Sequence, residues 1–401
     1  MNKPKTIHIA LDGNEANITD RVGSNVYAFE ILSALEKITR NKPDVQFSVL
    51  LRSEPITDLP TARAGWEYQI FGPAKLWTQW ALPLHLFMHR QKYDLLFSPG
   101  HYTPQLCPVP YVSSVMDTAY LEYPQYFQQK DLLQLTKWTE RAVKHAAKVV
   151  AISEQTKKSV IKHYHRSPND VVVAYPAFTG QNLALNYQET KAFFKRHTIS
   201  EPYLLFVGTL QPRKNIVTLI EAFEIFSRMV AGRALKSRRS KRKTTRLKPA
   251  KLVLAGKVGW LADDILERIE SSPVKKRIIR TGFISQAEKG TLYKNAFASI
   301  LVGLYEGFGI PPLESLTWQT PPIVSNTSSL PEVVGKAGLT AHPLNPQQIA
   351  EQIWQAYTMN NSQKASFRRK AREQLKKFSW EKSAATILDT LEDLARHQSQ
   401  H

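Results

Sequence analysis

Short apolar runs alternate with helical periods along most of the 401-residue chain. Runs at residues 7–11, 45–51, 93–97, 111–115, 148–152 and 171–175 predict one series of strands. A second series is predicted at 203–207, 251–255, 277–281, 298–302 and 322–325. These runs are near-continuous in Val, Ile and Leu, the pattern required when both faces of a parallel sheet are buried. Between them, residues 26–39, 154–163, 216–229 and 287–295 follow a helical period. Such alternation predicts an α/β protein built from doubly wound domains. A polar stretch at 179–200 separates the two series, so the predicted division is residues 1–185, 186–378 and a final amphipathic helix in 379–401 that packs on either domain. Ligands of open α/β sheets sit beyond the carboxyl ends of the strands, and two such domains facing each other make a cleft.

Composition narrows the class. A hydrophobic fraction of 42% with 22% charged residues suits a globular protein and not wholesale disorder. The formal charge of +20 points toward polyanionic partners: nucleic acid, an anionic membrane or phosphorylated ligands. Half of that charge lies in residues 231–251, which hold ten basic residues and no acid and read as a mobile insertion. Cys107 is the only cysteine, which excludes an internal disulfide and argues against a Cys-based zinc site. The longest apolar stretch, residues 80–88, falls short of the ~20 residues a membrane-spanning helix requires. The polar start running straight into a core strand leaves no room for a signal peptide, so a cytoplasmic setting is expected.

The most informative segment is Leu304-Tyr305-Glu306-Gly307-Phe308-Gly309-Ile310-Pro311-Pro312-Leu313-Glu314, between a predicted strand and a predicted helix. Pro311 and Pro312 suit the first turn of that helix, where no amide donor is lost, and Glu314 is placed within the same turn. Gly307 and Gly309 allow close approach of backbone to a ligand, and free amides at a helix start favour anions. A loop carboxylate, exposed amides and a second carboxylate suit a sugar attached to phosphate. A strand–helix turn carrying two solvated glutamates accounts for the same residues.

This segment closely resembles the E-x7-E motif of the retaining family 4 glycosyltransferases (glycosyl transferases group 1), which have the two-domain GT-B fold. The resemblance continues along the chain. Leu204 to Asn215 resembles the family's donor-phosphate loop, Leu252 to Lys257 and Thr281 to Ile284 its next two strand ends, and Ser325 to Val333 the segment after the E-x7-E helix. Leu11-Asp12-Gly13, followed by Gly23-Ser24-Asn25-Val26-Tyr27, is similar to its first strand and glycine loop. The variant is similar to the branch rich in mannosyltransferases of bacterial surface-polysaccharide assembly.

The resemblance implies a GT-B fold of two Rossmann-like domains and transfer of a hexose, mannose first, from a nucleoside-diphosphate sugar to a glycan or lipid-linked acceptor. It implies that Arg213 and Lys214 hold the donor diphosphate in place of a divalent ion, so no metal or other cofactor is expected. Glu306 would contact sugar hydroxyls near the anomeric carbon, and Glu314 the ribose. Gly307, Phe308, Gly309 and Ile310 would line the sugar and phosphate pocket, with Gly208 and Phe283 at neighbouring strand ends and Gly23 approaching from the other domain. Retention arises by double displacement or by reaction on one face with the leaving phosphate as base; both stay open. The family's His-Asp pair is Met116-Asp117 here, leaving Asp117 as a hydroxyl ligand or base, or as a turn-capping aspartate. Val302-Gly303 and Trp318-Gln319 stand where the family prefers Pro-Ser and Cys-Gly.

Residues 75–90 mix aromatic, aliphatic and basic side chains, as interfacial helices do and as a core helix also does. Peripheral contact with anionic membrane at its cytoplasmic face is the corresponding expectation. Two other readings compete with the transferase. One is a nucleic-acid binder using residues 231–251; that block lacks interleaved aromatics, and no RRM, KH, zinc or helix-turn-helix signature is present, so nucleic acid is not the expected partner. The other is a GT-B-fold sugar-nucleotide epimerase or a glycogen-synthase-like enzyme.

Overall fold

The computed structural model describes residues 6–100, 102–180, 183–239 and 247–398. The chain forms two units, Met1–Pro176 with Phe378–His401, and Ala177–Lys377. Unit 1 carries strands β1 (Ile7–Asp12), β2 (Val45–Leu51), β3 (Trp66–Ile70), β4 (Leu95–Ser98), β5 (Tyr111–Val115), β6 (Lys148–Ala151) and β7 (Val171–Val173). They form one sheet in the order β3-β2-β1-β4-β5-β6-β7, parallel throughout. Unit 2 carries β8 (Tyr203–Val207), β9 (Lys251–Ala255), β10 (Ile278–Gly282), β11 (Ala298–Leu301), β12 (Pro322–Ser325) and β13 (Leu339–Ala341). Its order is β10-β9-β8-β11-β12-β13, again parallel throughout.

The continuous apolar runs are explained by burial on both faces. In unit 2, Leu204, Phe206, Leu252 and Leu254 face a core shared with the helix Ile216–Arg239. The alternate residues Tyr203, Leu205, Val253 and Ala255 face a second core with Leu292 and Tyr293. In unit 1, Ile9 of β1 lies opposite Phe47 of β2 and Leu95 of β4, all fully buried.

Unit 2 begins earlier than the 185/186 division drawn from the sequence. The backbone N–H of Leu185 donates to Thr291 Oγ1 at 2.8 Å, and its side chain joins the Tyr203–Leu292 core. The last helix, Trp380–Gln398, belongs to unit 1 and packs on the helix Ser24–Thr39. Lys37 pairs with Glu381 at 3.0 Å and Lys42 with Glu392 at 2.7 Å, while Trp380 meets Tyr27 edge-on at 5.9 Å. Phe378 also belongs to unit 1, edge-on to Tyr175 at 5.4 Å. The helix Ile216–Arg239 runs beyond the 216–229 span read from sequence and into the basic run. Ala, Leu, Lys and Arg are good helix formers, so charge alone did not end it. Residues 240–246 of the proposed insertion lie outside the described residues, but its end is part of the fold and not a mobile excursion: Ala250 is buried in the unit 2 core, with Leu247 packed against it, and Lys251 opens β9.

Strand order reverses direction between β1 and β4 in unit 1, and between β8 and β11 in unit 2. Such switch points leave a crevice beyond the strand carboxyl ends where ligands of this architecture bind.

Candidate active site

Two loops meet at the switch point of unit 2. After β8 the chain makes a short 3-10 turn, Pro212–Lys214, and leaves it through Asn215 in the left-handed conformation. The Asn215 amide donates to Val302 O at 3.0 Å and Pro343 O at 2.7 Å, and the Leu304 N–H donates to Arg213 O at 3.0 Å. These bonds clamp the loop after β8 to the loop after β11. They bring together residues far apart in sequence: Lys214 Nζ lies 2.6 Å from Glu306 Oε1, and Arg213 Nη1 lies 3.6 Å from Glu306 Oε2. Arg213 Nη1 also donates to Tyr305 O at 2.6 Å.

Glu306 is only 7% exposed. Burial pushes its carboxyl up, but the charges of Lys214 and Arg213 and the Lys214 hydrogen bond outweigh it and hold the group below the ordinary glutamate value. Its backbone is fixed as firmly: the Glu306 N–H donates to Ser328 Oγ at 2.9 Å, and the single Ser329 hydroxyl proton is shared between Glu306 O at 2.8 Å and Phe308 O at 2.7 Å. The site therefore holds two cations against one carboxylate, a positive balance suited to an anion. Gly303 matters here for space. A Cβ at that position would stand 3.0 Å from Glu306 Oε1 and 3.3 Å from Arg213 O, so the departure from the family's Ser leaves room for the ion pair.

Gly309 (φ 106°) precedes the helix Ile310–Thr317, and its positive φ explains why glycine is needed there. Gly307, Phe308 and Gly309 are buried between Glu306 and this helix, with Ile310 half-buried at its start. Glu314 falls just past the first turn and not within it, because the helix begins at Ile310. Its carboxylate is buried and held by Lys289 and by the Tyr293 hydroxyl, which donates to Oε2 at 3.0 Å. Each glutamate of the motif thus has its own cation. Lys289 and Tyr293 were missed in the sequence; they lie on the helix Gln286–Asn295, whose spacing carries no signal linking it to Glu314.

Gly208, at the end of β8, stands beside this cluster, since a Cβ there would meet Lys214 Cε at 4.0 Å. Phe283 follows β10, two strands from β8, and is 69% exposed with Lys257 Nζ 4.7 Å from its ring centroid. Gly23 and Asp117 belong to unit 1. Gly23 caps the helix Ser24–Thr39 at an exposed position. Asp117 is half-buried beyond β5, and its Oδ1 accepts from the Ala119 N–H at 3.1 Å, the turn-capping arrangement that the sequence left open.

At the other switch point, in unit 1, the sequence marked Leu11-Asp12-Gly13 as a first-strand motif but assigned Asp12 no role. Asp12 ends β1 there and lines a cavity of about 240 Å³ with Ser98 at the end of β4. Burial pushes Asp12 up to about 6 despite two hydrogen bonds from Asn14. A carboxylate at a strand's carboxyl end beside a switch point was the available signal. Among the described residues no helix is long and apolar enough to cross a membrane. The helix Ala81–Met88 buries Ala81, Leu82, His85 and Leu86 but leaves Leu84, Phe87 and Met88 exposed, so it is a core helix with an apolar outer face.

Comparison with known proteins agrees with this architecture. The family profile described as Glycosyl transferases group 1 matches residues 188–374, and that of Glycosyltransferase Family 4 matches residues 23–178. The chain is 26% identical over 272 residues to the O-antigen chain mannosyltransferase B of Escherichia coli, covering 67% of each chain. It is 26% identical over 246 residues to the serotype-specific mannosyltransferase WbdA of Escherichia coli, 60% of this chain but 28% of that one. The crystal structure of Anabaena HepE in complex with UDP superposes with a TM-score of 0.66 at 14% identity, covering 96% of this chain and 100% of that one, a likeness of fold. With both units matched in chain order and the E-x7-E loop set at the unit 2 switch point, the chain belongs to the family 4, group 1 glycosyltransferases of GT-B fold.

Proposed function

We propose that this glycosyltransferase moves mannose from a nucleoside-diphosphate sugar to a hydroxyl of a glycan acceptor in surface-polysaccharide biosynthesis, with retention at the anomeric carbon. The observation carrying the reading is the Arg213–Lys214–Glu306 cluster at the β8/β11 switch point. Both curated relatives bear the name mannosyltransferase, which favours that sugar.

In this mechanism the diphosphate takes Lys214 and Arg213 from Glu306. The two cations stabilise the charge that grows on the leaving nucleoside diphosphate, where preorganised charge is most effective. They fill the role of a divalent ion, so transfer proceeds without added metal. Released from the cations, the Glu306 carboxylate accepts hydroxyl hydrogen bonds from the sugar and stabilises positive charge near its anomeric carbon. Gly307 to Ile310 line the sugar and phosphates, and Glu314 accepts from the ribose hydroxyls. The bond from the anomeric carbon to phosphate oxygen breaks, the bond to acceptor oxygen forms on the same face, and the acceptor proton passes to the leaving phosphate. Asp117 is assigned to an acceptor hydroxyl.

The exposed face of Trp80, Leu84, Phe87 and Met88, with Arg90 beside Phe87, supports peripheral binding to anionic membrane through unit 1. The test of the reaction is incubation with GDP-mannose, UDP-glucose and UDP-galactose, with and without mannosylated acceptors, reading sugar transfer by mass spectrometry. Acceptor-dependent transfer from GDP-mannose in the presence of EDTA is the expected result. Transfer only from another donor overturns the mannose assignment, and a strict need for metal overturns the role given to Arg213 and Lys214.

A further inference from the structure

The loop that carries Glu306 has little to hold it from within. Gly303, Gly307 and Gly309 punctuate it, and glycine has more backbone freedom to lose on folding than any other residue. Its hold comes from residues 325–329, which follow β12, the neighbour of β11. Ser325 Oγ donates to Gly303 O. Ser328 Oγ accepts from the Glu306 N–H at 2.9 Å and donates to Glu306 O, and the Ser329 hydroxyl reaches Glu306 O and Phe308 O. We propose that Ser328 is a positioning residue for the transfer: its one hydroxyl fixes both polar groups of the Glu306 backbone, and so sets where the carboxylate stands once the donor diphosphate has taken its cations. This rests on the glycosyltransferase reading and adds to it a residue that acts through Glu306.

Ser328 does for Glu306 what a neighbouring strand does within a sheet, engaging the N–H and the C=O of a single residue. The arrangement has a conformational cost. Ser328 sits at φ 61°, in the left-handed region that serine disfavours and glycine accepts. Backbone strain of this kind persists where the surroundings over-determine it, and it collects at functional sites. The surroundings here are rigid: Ser325 and Ser329 are fully buried, and the Asn326 N–H donates to Ala341 O of β13 at 2.9 Å. A glycine at 328 would make the same turn without strain, but the Glu306 N–H would lose its hydroxyl acceptor.

This hold matters most in the donor complex. Without donor, the Glu306 carboxylate is fixed by Lys214 at 2.6 Å, with Arg213 3.6 Å away. Once the diphosphate claims both cations, the side chain loses those partners. The backbone bonds to Ser328 and Ser329 then keep the carboxylate at the sugar. A displacement of about 1 Å at a reacting centre costs about a hundredfold in rate. The hydroxyl behind Glu306 therefore acts on turnover and not on capture of the diphosphate.

Two substitutions in the full chain separate this role from a structural one. Ser328→Gly removes the hydroxyl and relieves the strain, so its denaturation midpoint should stay close to the parent's; Ser328→Ala removes the hydroxyl, keeps the strain and should melt lower. Turnover should follow the hydroxyl and not the midpoint: kcat for transfer from GDP-mannose falls about ten- to a hundredfold in both variants. Isothermal titration with GDP should show binding about threefold tighter in Ser328→Gly, because Glu306 competes less firmly for Lys214. Added to Glu306→Gln, Ser328→Gly should change kcat and GDP affinity by less than about twofold further, as expected of two residues acting as one unit. A kcat for Ser328→Gly within about twofold of the parent overturns the inference. So does a fall in kcat accompanied by weaker GDP binding and a lower midpoint, or a full further loss of kcat on the Glu306→Gln background. A parent that binds GDP and transfers no sugar from any donor counts against the transferase reading alone; the GDP titrations then decide the role of Ser328, and no gain in affinity in Ser328→Gly overturns it.

Discussion

Glu306→Gln separates binding of the donor from its reaction. In the ligand-free site Glu306 occupies the two cations that the diphosphate must claim, with Lys214 at 2.6 Å. A hydrogen bond between charged groups contributes about 1.5–3 kcal/mol, and the buried position keeps this one from being screened away. Gln keeps the shape and one acceptor oxygen but not the charge. If about half of that interaction is lost, roughly 0.8–1.5 kcal/mol of competition disappears, and nucleoside-diphosphate affinity should rise about four- to twelvefold. Transfer should fall by two orders of magnitude or more, because the carboxylate near the anomeric carbon is gone. Isothermal titration with GDP and a turnover assay on the same preparation read the two effects. The acid side gives an independent check. The depressed carboxyl stabilises the fold above the unfolded value near 4.5, and that contribution disappears as pH falls through the folded value. The variant should therefore show a flatter loss of stability below pH 4.5. Unchanged or weaker GDP binding with near-full transfer would refute the competition.

Asp12 carries the opposite sign. Its raised value, about 6 against 3.8, makes the ionised form unfavourable in the fold, so stability is present at low pH and lost as pH rises toward 6. Asp12→Asn should gain about 3 kcal/mol over the parent at pH 8 and nothing at pH 3.5 in denaturant unfolding; an equal difference at both pH values sinks this account. Gly309→Ala places a Cβ 2.5 Å from Leu330 Cδ2 at φ 106° and should cost about 2–3 kcal/mol, read as a lower denaturation midpoint; an unchanged midpoint contradicts it. Trp80→Glu should abolish sedimentation with anionic phosphatidylglycerol vesicles while leaving turnover of a soluble acceptor intact, and full retention on the vesicles removes the membrane assignment.

The parts of the fold legible in the sequence are those where burial leaves no choice. Every central strand announces itself because both its faces are packed, as in Tyr203–Val207. The two unpredicted strands lie at sheet edges. β3, Trp66-Glu67-Tyr68-Gln69-Ile70, is half exposed and mixes polar with apolar residues, and β13 spans only Leu339–Ala341. The candidate site was legible as separate motifs but not as an arrangement. Glu306 and Glu314 read as one pair of carboxylates serving one ligand; their folded partners, Lys214 and Lys289, come from different helices and loops. Sequence spacing cannot carry that, because the pairing of β8 with β11 decides which loops meet. Asp12 was named only as part of the first-strand motif, without a role, for a related reason: its place at the cavity depends on β1 lying beside β4, a fact of topology and not of local pattern.

The central claim is that Arg213 and Lys214 receive a nucleoside diphosphate. Thermal and denaturant unfolding with GDP, UDP and ADP, on the parent and on an Arg213→Ala/Lys214→Ala double variant, tests it most directly. One nucleotide at a hundred times its dissociation constant should add about 2.7 kcal/mol to the parent and almost nothing to the double variant. Equal stabilisation of both proteins, or no response of the parent to any of the three, would contradict the assignment.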